Sequence, residues 1–306
     1  MAAFMNSVSI ISDFTHLLPA STSAEQLACI KVTGPDSVKF LQGQTSCDFT
    51  QLTHEQGLQG AVCNIKGRVI VNFYAFLRGD DILLIMASDL IETSLNHLKK
   101  FAVFFKTQLD SAQEDFKVDY VFSQDNLLTK QEMPFACEAI APSHILAQLC
   151  QAEVNHYLYI RPSDEQNAPQ IPDKNDDLFG LSLLSGQALI QAENTEKFIP
   201  QMLNMQYTHG VNFKKGCYTG QEIVARMQYR GNLKKHLYLL SAQEKLTLSA
   251  AMKLANQDGK EVAEVVSSVT LGSNTLIFAI IGDESAQAPL FYQGTPLTLE
   301  PLPYNQ

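Results

Sequence analysis

Residues 213–222 read FKKGCYTGQE and run on into IVARMQYRG. A cysteine becomes a nucleophile or a ligand as its thiolate, which nearby ammonium groups and a helix N-terminus favour. Cys217 has Lys214 and Lys215 immediately upstream. Thr219 and Glu222 have the S/T-x-x-E spacing of a capping box, which predicts a helix start just beyond the thiol. Ile223, Val224 and Met227 would give that helix an apolar face, and Gly231 suits its exit. Gly216 and Gly220 permit a tight turn and close approach of a ligand to the backbone. On this reading Cys217 is the functional thiol, and Lys215 tunes it and helps hold its loop. Gln221 and Glu222 shape the helix start, while Arg226, about one turn further on, faces an anionic group or a partner. A lone cysteine is more often a small buried hydrophobe, and helical cations are usually a solvated face. It is the combination that singles out this stretch.

The charge distribution points the same way. Of 306 residues, 32 are acidic and 22 basic, for a net charge of −10. Residues 214–235 hold six cations against Glu222, a local +5 that leaves −15 for the remainder. Such a site suits an anion: a polyglutamate tail, a phosphate or an acidic partner surface. It is too small for broad nucleic-acid binding, and the overall acidity argues against an anionic-membrane binder.

Other constellations are weaker. Cysteines at 29, 47, 63, 137, 150 and 217 form no CxxC pair and no zinc or iron–sulfur spacing. They read as free thiols of a reducing compartment, with no metal site. His209 lies near Cys217 without an Asx partner, which disfavours a Cys–His hydrolase. Gly57, Gly60 and Gly67 match neither GxGxxG nor a P-loop. Lys66 and Arg68 flank Gly67 at a strand entry, and Asp80 and Asp81 suit a hairpin turn. The first twenty residues contain no Lys or Arg and lack a signal-peptide pattern. The longest apolar runs, such as 276–281, are too short to span a bilayer. A cytoplasmic protein without membrane segments is expected.

The elements that must position these residues are legible in outline. Residues 27–33 read as a strand. Thr33, Pro35 and Asp36 predict the start of a short helix ending near Gly43. Residues 69–77 and 82–87 predict a hairpin, and 89–101 have helical apolar spacing. Three prolines and five acidic residues make 161–177 a linker or surface loop. The division expected is a first α+β unit at 1–160, a second α+β segment at 178–235, and a small β-barrel at 236–306.

The motif KGCYTGQE, with FIPQMLNMQ upstream at 198–206, resembles the signature of the YgfZ family of folate-binding proteins, relatives of the glycine-cleavage aminomethyltransferases. TGPDSVKFLQGQTSCDFTQL and CNIKGRV also resemble that family. The resemblance implies an α+β fold, with two folate-binding units in a ring and a C-terminal barrel. It implies tetrahydrofolate, or another reduced folate, as ligand. It also implies a role in assembling or repairing iron–sulfur enzymes, tRNA-modifying ones among them. Folate contacts are then expected from Leu27, Leu178, Tyr218, Gln221, Glu222 and Arg226, and from Lys66 or Arg68 toward the folate glutamate. Two departures stand out. Val71 and Asn72 occupy the aligned positions of the aminomethyltransferase Asp pair, so classical aminomethyl transfer is not expected. The chain has no tryptophan; leucines at 27 and 178 stand where bacterial relatives stack an indole. A folate-dependent one-carbon transferase is the alternative reading.

Overall fold

A computed structural model describes residues 14–129, 134–141, 143–164 and 172–304. The predicted linker at 161–177 and the N-terminal twenty residues lie partly outside these.

Strands β1 (Ala20–Ser23) and β2 (Leu27–Thr33) lead into helix α1 (Ser37–Gln44). Strands β3 (Leu58–Cys63), β4 (Val69–Arg78) and β5 (Asp81–Ala87) follow, then helix α2 (Ile91–Ala102) and strand β6 (Gln108–Ser111). The β4–β5 hairpin forms where β-branched and aromatic residues run on both sides of Gly79, which takes φ +57°. β2 to β6 make an antiparallel sheet in the order β3-β4-β5-β2-β6. α2 covers it with Ile91, Leu95, Leu98 and Ala102, a stripe of helical period. The Thr33 capping box does not form. α1 starts at Ser37, and the Asp36 carboxylate instead accepts the Lys106 N–H at 2.8 Å.

Strands β7 (Phe116–Ser123), β8 (Cys137–Ala141), β9 (His144–Cys150) and β10 (Asn155–Pro162) build a second antiparallel sheet, ordered β1-β7-β10-β9-β8. The second α+β unit was expected at 178–235, yet its strands lie within 20–162. Among the described residues 176–230 there is no strand. That stretch winds through 3-10 turns at Asp176–Ser185, Ala192–Asn194 and Pro200–Leu203 into helix α3 (Gln221–Arg230). Its apolar residues lack a two-residue period. Left-handed Gly186 and Asn204 and the donorless Pro200 bend it too often for a ladder.

The expected C-terminal barrel is present: β11 (Lys235–Ala242), β12 (Lys253–Asn256), β13 (Glu261–Leu271), β14 (Asn274–Gly282), β15 (Leu290–Tyr292) and β16 (Thr295–Glu300) close in the order β11-β14-β13-β12-β15-β16. β14 is buried on both faces. Ile277, Ala279 and Ile281 fill the barrel, while Leu276, Phe278 and Ile280 join the core of the two sheets. No helix among the described residues is long and apolar enough to cross a membrane.

Candidate functional site

The motif loop is held by a buried ammonium. Lys215 Nζ donates to the carbonyls of Gln42, Thr45 and Cys47, each at 2.7 Å. These lie at and just beyond the end of α1, where unpaired carbonyls and the negative end of the helix dipole favour a cation. Burial lowers the Lys215 pKa to about 8, against the opposing pull of Cys47 and Asp48. Beneath the ammonium lies the Tyr218 ring, its centroid 5.1 Å away. Asn212 Oδ1 accepts the N–H groups of Lys214 and Lys215. Upstream, Ser46 Oγ donates to the Gly210 carbonyl at 2.6 Å. The expected anchoring role of Lys215 thus has a defined geometry, but its ammonium is committed to carbonyls 42–47 rather than to the Cys217 thiol.

The helix start also differs from the expected one. α3 begins at Gln221, one turn past Cys217, and Gly220 precedes it at φ +84° with no side-chain cap. Thr219 and Glu222 therefore form no capping box. The reason is close packing: a Cβ on Gly220 would sit 2.4 Å from the Asn64 carbonyl oxygen, and one on Gly67 would meet Ile223 at 2.9 Å. The β3–β4 turn and the motif loop pass too near each other for side chains at those positions. α3 buries Val224 and little else, and Gln201 Nε2 holds the Val224 carbonyl at 2.7 Å. Cys217 is left exposed, whereas Cys29, Cys47, Cys63 and Cys137 are buried and Cys150 is half-buried. Burial pushes those five thiols up to between about 11 and about 12. Exposed Ile65, Ile223 and Tyr229 leave large apolar groups on the β3–β4 turn and α3.

A cavity of about 330 Å³ lies where the two sheets meet the barrel. Leu27, Tyr120, Phe179, Leu183, Val269 and Phe278 supply its apolar wall, and Gln26, Asp89, Gln187 and Ser268 are among its polar groups. Of the expected folate residues Leu27 is here. Leu178 is fully buried in the core behind it, and its neighbour Phe179 provides the aromatic wall, edge-on to Tyr120 at 5.8 Å. Tyr218 is buried beneath the Lys215 ammonium, Gln221, Glu222 and Arg226 lie on α3, and these four do not line the cavity. Nor do Lys66 and Arg68. Lys66 is exposed on the β3–β4 turn, and Arg68 donates to the Lys197 carbonyl and faces a separate cleft beside the barrel. Asn72 is 1% exposed and fully engaged, donating to the Ala188 carbonyl at 2.7 Å and accepting the Ile190 N–H at 2.9 Å. It staples the cavity's 187–191 wall to β4.

The sequence reading missed the tethers Gln201 and Asn204. Asn204 Nδ2 donates to the Leu237 carbonyl at 2.9 Å, tying the 198–206 segment to the barrel. Their signal was present, since both lie in FIPQMLNMQ, but a buried amide in a loop leaves no periodicity. Among the described residues no three His, Cys, Asp or Glu side chains are grouped to hold a metal.

Two antiparallel five-stranded sheets joined to a closed barrel place the chain in the aminomethyltransferase fold class. It superposes on the glycine cleavage system aminomethyltransferase T from Bartonella henselae with a TM-score of 0.67, covering 97% of this chain and 90% of that one at 13% identity. No family model matches the chain. The tRNA-modifying protein YgfZ of Yersinia pestis (strain Pestoides F) is 30% identical over 309 aligned positions, covering 92% of each chain. The namesake from Yersinia enterocolitica (serotype O:8) is 29% identical at the same coverage. The chain belongs to the YgfZ family.

Proposed function

We propose that this protein is a reduced-folate-binding accessory factor for RNA-modifying enzymes that carry iron–sulfur clusters, with Cys217 as its working thiol. It would act in the reducing cytoplasm, where six unpaired cysteines are stable. The observation that carries the reading is the presentation of Cys217. Of six thiols it alone is exposed, on a loop fixed by the Lys215 staple and the Gly67–Gly220 contact. The name of the relatives supports the RNA-modification part, and the aminomethyltransferase fold supports the folate part.

The central cavity is suited to part of a folate. Its volume of about 330 Å³ is at the lower end of ligand pockets, which run from roughly 300 to 1,000 Å³. It would take the bicyclic head and leave the aryl-glutamate tail outside. Phe179, Tyr120 and Phe278 offer faces and edges to a flat ring. Gln187 Oε1 is buried without a partner while its Nε2 donates to the Leu149 carbonyl, so it can accept from a pterin N–H. Bound reduced folate would supply one-carbon chemistry. Asn72, lacking a carboxylate and held by backbone, cannot act as the base of that chemistry.

A second reading, folate-dependent one-carbon transfer, is favoured by one feature. Asp89 lines the cavity, with Oδ2 accepting the Ala192 N–H at 2.9 Å and Oδ1 left for a ligand. Complementation separates the readings in a strain lacking its own family member. Cys217→Ala should fold normally and fail to rescue, whereas Asp89→Asn should rescue. The opposite pattern, with methylenetetrahydrofolate formed from a methylamine donor, would establish the transferase.

A further inference from the structure

We propose that the cleft between the β3–β4 turn and the barrel, together with α3, is a docking track for the phosphate backbone of RNA. This rests on the RNA-modification reading above and names the surface that would meet the nucleic acid. The cleft is about 720 Å³ and is lined by Arg68, Lys197, Lys235, Lys253 and Lys260 against Glu261 and Glu264. Of these cations only Lys235 belongs to the basic run 214–235; folding brings the other four to it from three separate stretches. The sequence count that made broad nucleic-acid binding unlikely therefore undercounts this surface.

The carboxylates do not neutralise the cleft. Burial alone would raise the Glu264 carboxyl, but hydrogen bonds from Lys253 and Lys197 hold it below its usual range. It fixes that pair of ammonium groups in place, with Lys197 Nζ at 2.9 Å. Among the lining residues Glu261 is then the one carboxylate left beside Arg68, Lys235 and Lys260, with exposed Glu196 and Glu284 next in sequence to the lining residues Lys197 and Ser285. Asp283, next to the ladder partner of Lys235, is engaged by His236 Nδ1 at 2.7 Å. From Lys235 the chain leads back through Lys234 to Arg230 and Arg226, all on or beside the thinly packed α3. The result is a positive strip on a protein of net charge −10, the arrangement by which phosphate backbones are held.

The lining distinguishes this partner from others. The anchors of an acidic protein face would sit in its middle, whereas the apolar lining of the cleft is recessed, with Phe198 and Ile280 only 5% and 4% exposed and Met202 and Val262 half-buried. The exposed Ile65, Ile223 and Tyr229 stand outside it on the β3–β4 turn and α3. A single small anion would call for convergent, enclosed donors, whereas Lys235 and Lys260 are exposed side chains from different elements.

The test is fluorescence anisotropy of labelled unfractionated bacterial tRNA against the full chain over a range of salt. Lys235→Gln/Lys260→Gln should weaken binding about tenfold and lower the slope of log affinity against log salt by about 1.5 to 2, since two phosphate contacts are lost. Lys99→Gln/Lys100→Gln on α2 should change neither. Equal tRNA binding by the cleft variant, no salt-dependent binding by wild type, or preference for polyglutamate over tRNA would each overturn the proposal. Tetrahydrofolate titration of the same samples separates the two claims: folate binding without RNA binding removes the track and leaves the folate reading standing.

Discussion

Replacing Lys215 with Met keeps the aliphatic stem and deletes the ammonium, so it isolates the staple. At pH 7, below the Lys215 pKa of about 8, wild type carries the charge. Three hydrogen bonds of 2.7 Å are lost. A bond to a charged group contributes about 1.5–3 kcal/mol, so the gross loss is roughly 4.5–9 kcal/mol. The variant no longer desolvates an ammonium, a relief of several kcal/mol, but it strips a charged donor from two buried carbonyls. The net cost should be about 3 kcal/mol. With an unfolding entropy of about 2.1 cal/mol/K per residue, 306 residues give roughly 0.64 kcal/mol/K, so Tm should fall by about 5 °C. Differential scanning calorimetry of wild type, Lys215→Met and the exposed-site control Lys214→Met reads this directly. The control should shift by less than about 1 °C. A Lys215→Met shift as small as that of the control would refute the staple.

Other expectations follow from single features. Gly220→Ala puts a Cβ 2.4 Å from the Asn64 carbonyl oxygen at φ +84°, and urea unfolding should show a loss of about 2–4 kcal/mol. Burial drives the pKa of His156 down to about 3. The folded state therefore binds fewer protons than the unfolded chain between about 3 and 6.5, and stability falls as pH drops through that window. His156→Phe should flatten the dependence in acid denaturation, and an unchanged slope would acquit the histidine. Phe179→Ala should reduce tetrahydrofolate affinity about tenfold by calorimetry, the value of a lost aromatic contact near 1.4 kcal/mol. An unchanged affinity would place the ligand elsewhere.

What could be read in advance was whatever rests on local pattern. β2 occupies the seven residues, 27–33, that read as a strand, and the β4–β5 hairpin turns at Gly79 and Asp80 as its composition requires. Long-range tethers were hidden. Nothing near Lys215 in sequence reveals that its ammonium is drawn to carbonyls about 170 positions away. The capping-box spacing at Thr219 and Glu222 was overridden by the approach of Gly220 to Asn64, a tertiary contact that local propensity does not encode. The second sheet was displaced from 178–235 because that segment serves as wall and tether. Asn72, Gln201 and Asn204 bind its neighbours through side-chain amides rather than through a ladder.

The proposed role of Cys217 requires that the fold offer solvent this one sulfur while four others are buried and Cys150 is half-buried. Titration of the native protein with Ellman's reagent measures this. One equivalent should react rapidly and vanish in Cys217→Ala, with all six thiols appearing after denaturation. Rapid reaction at any other cysteine, or no rapid equivalent in wild type, would contradict it.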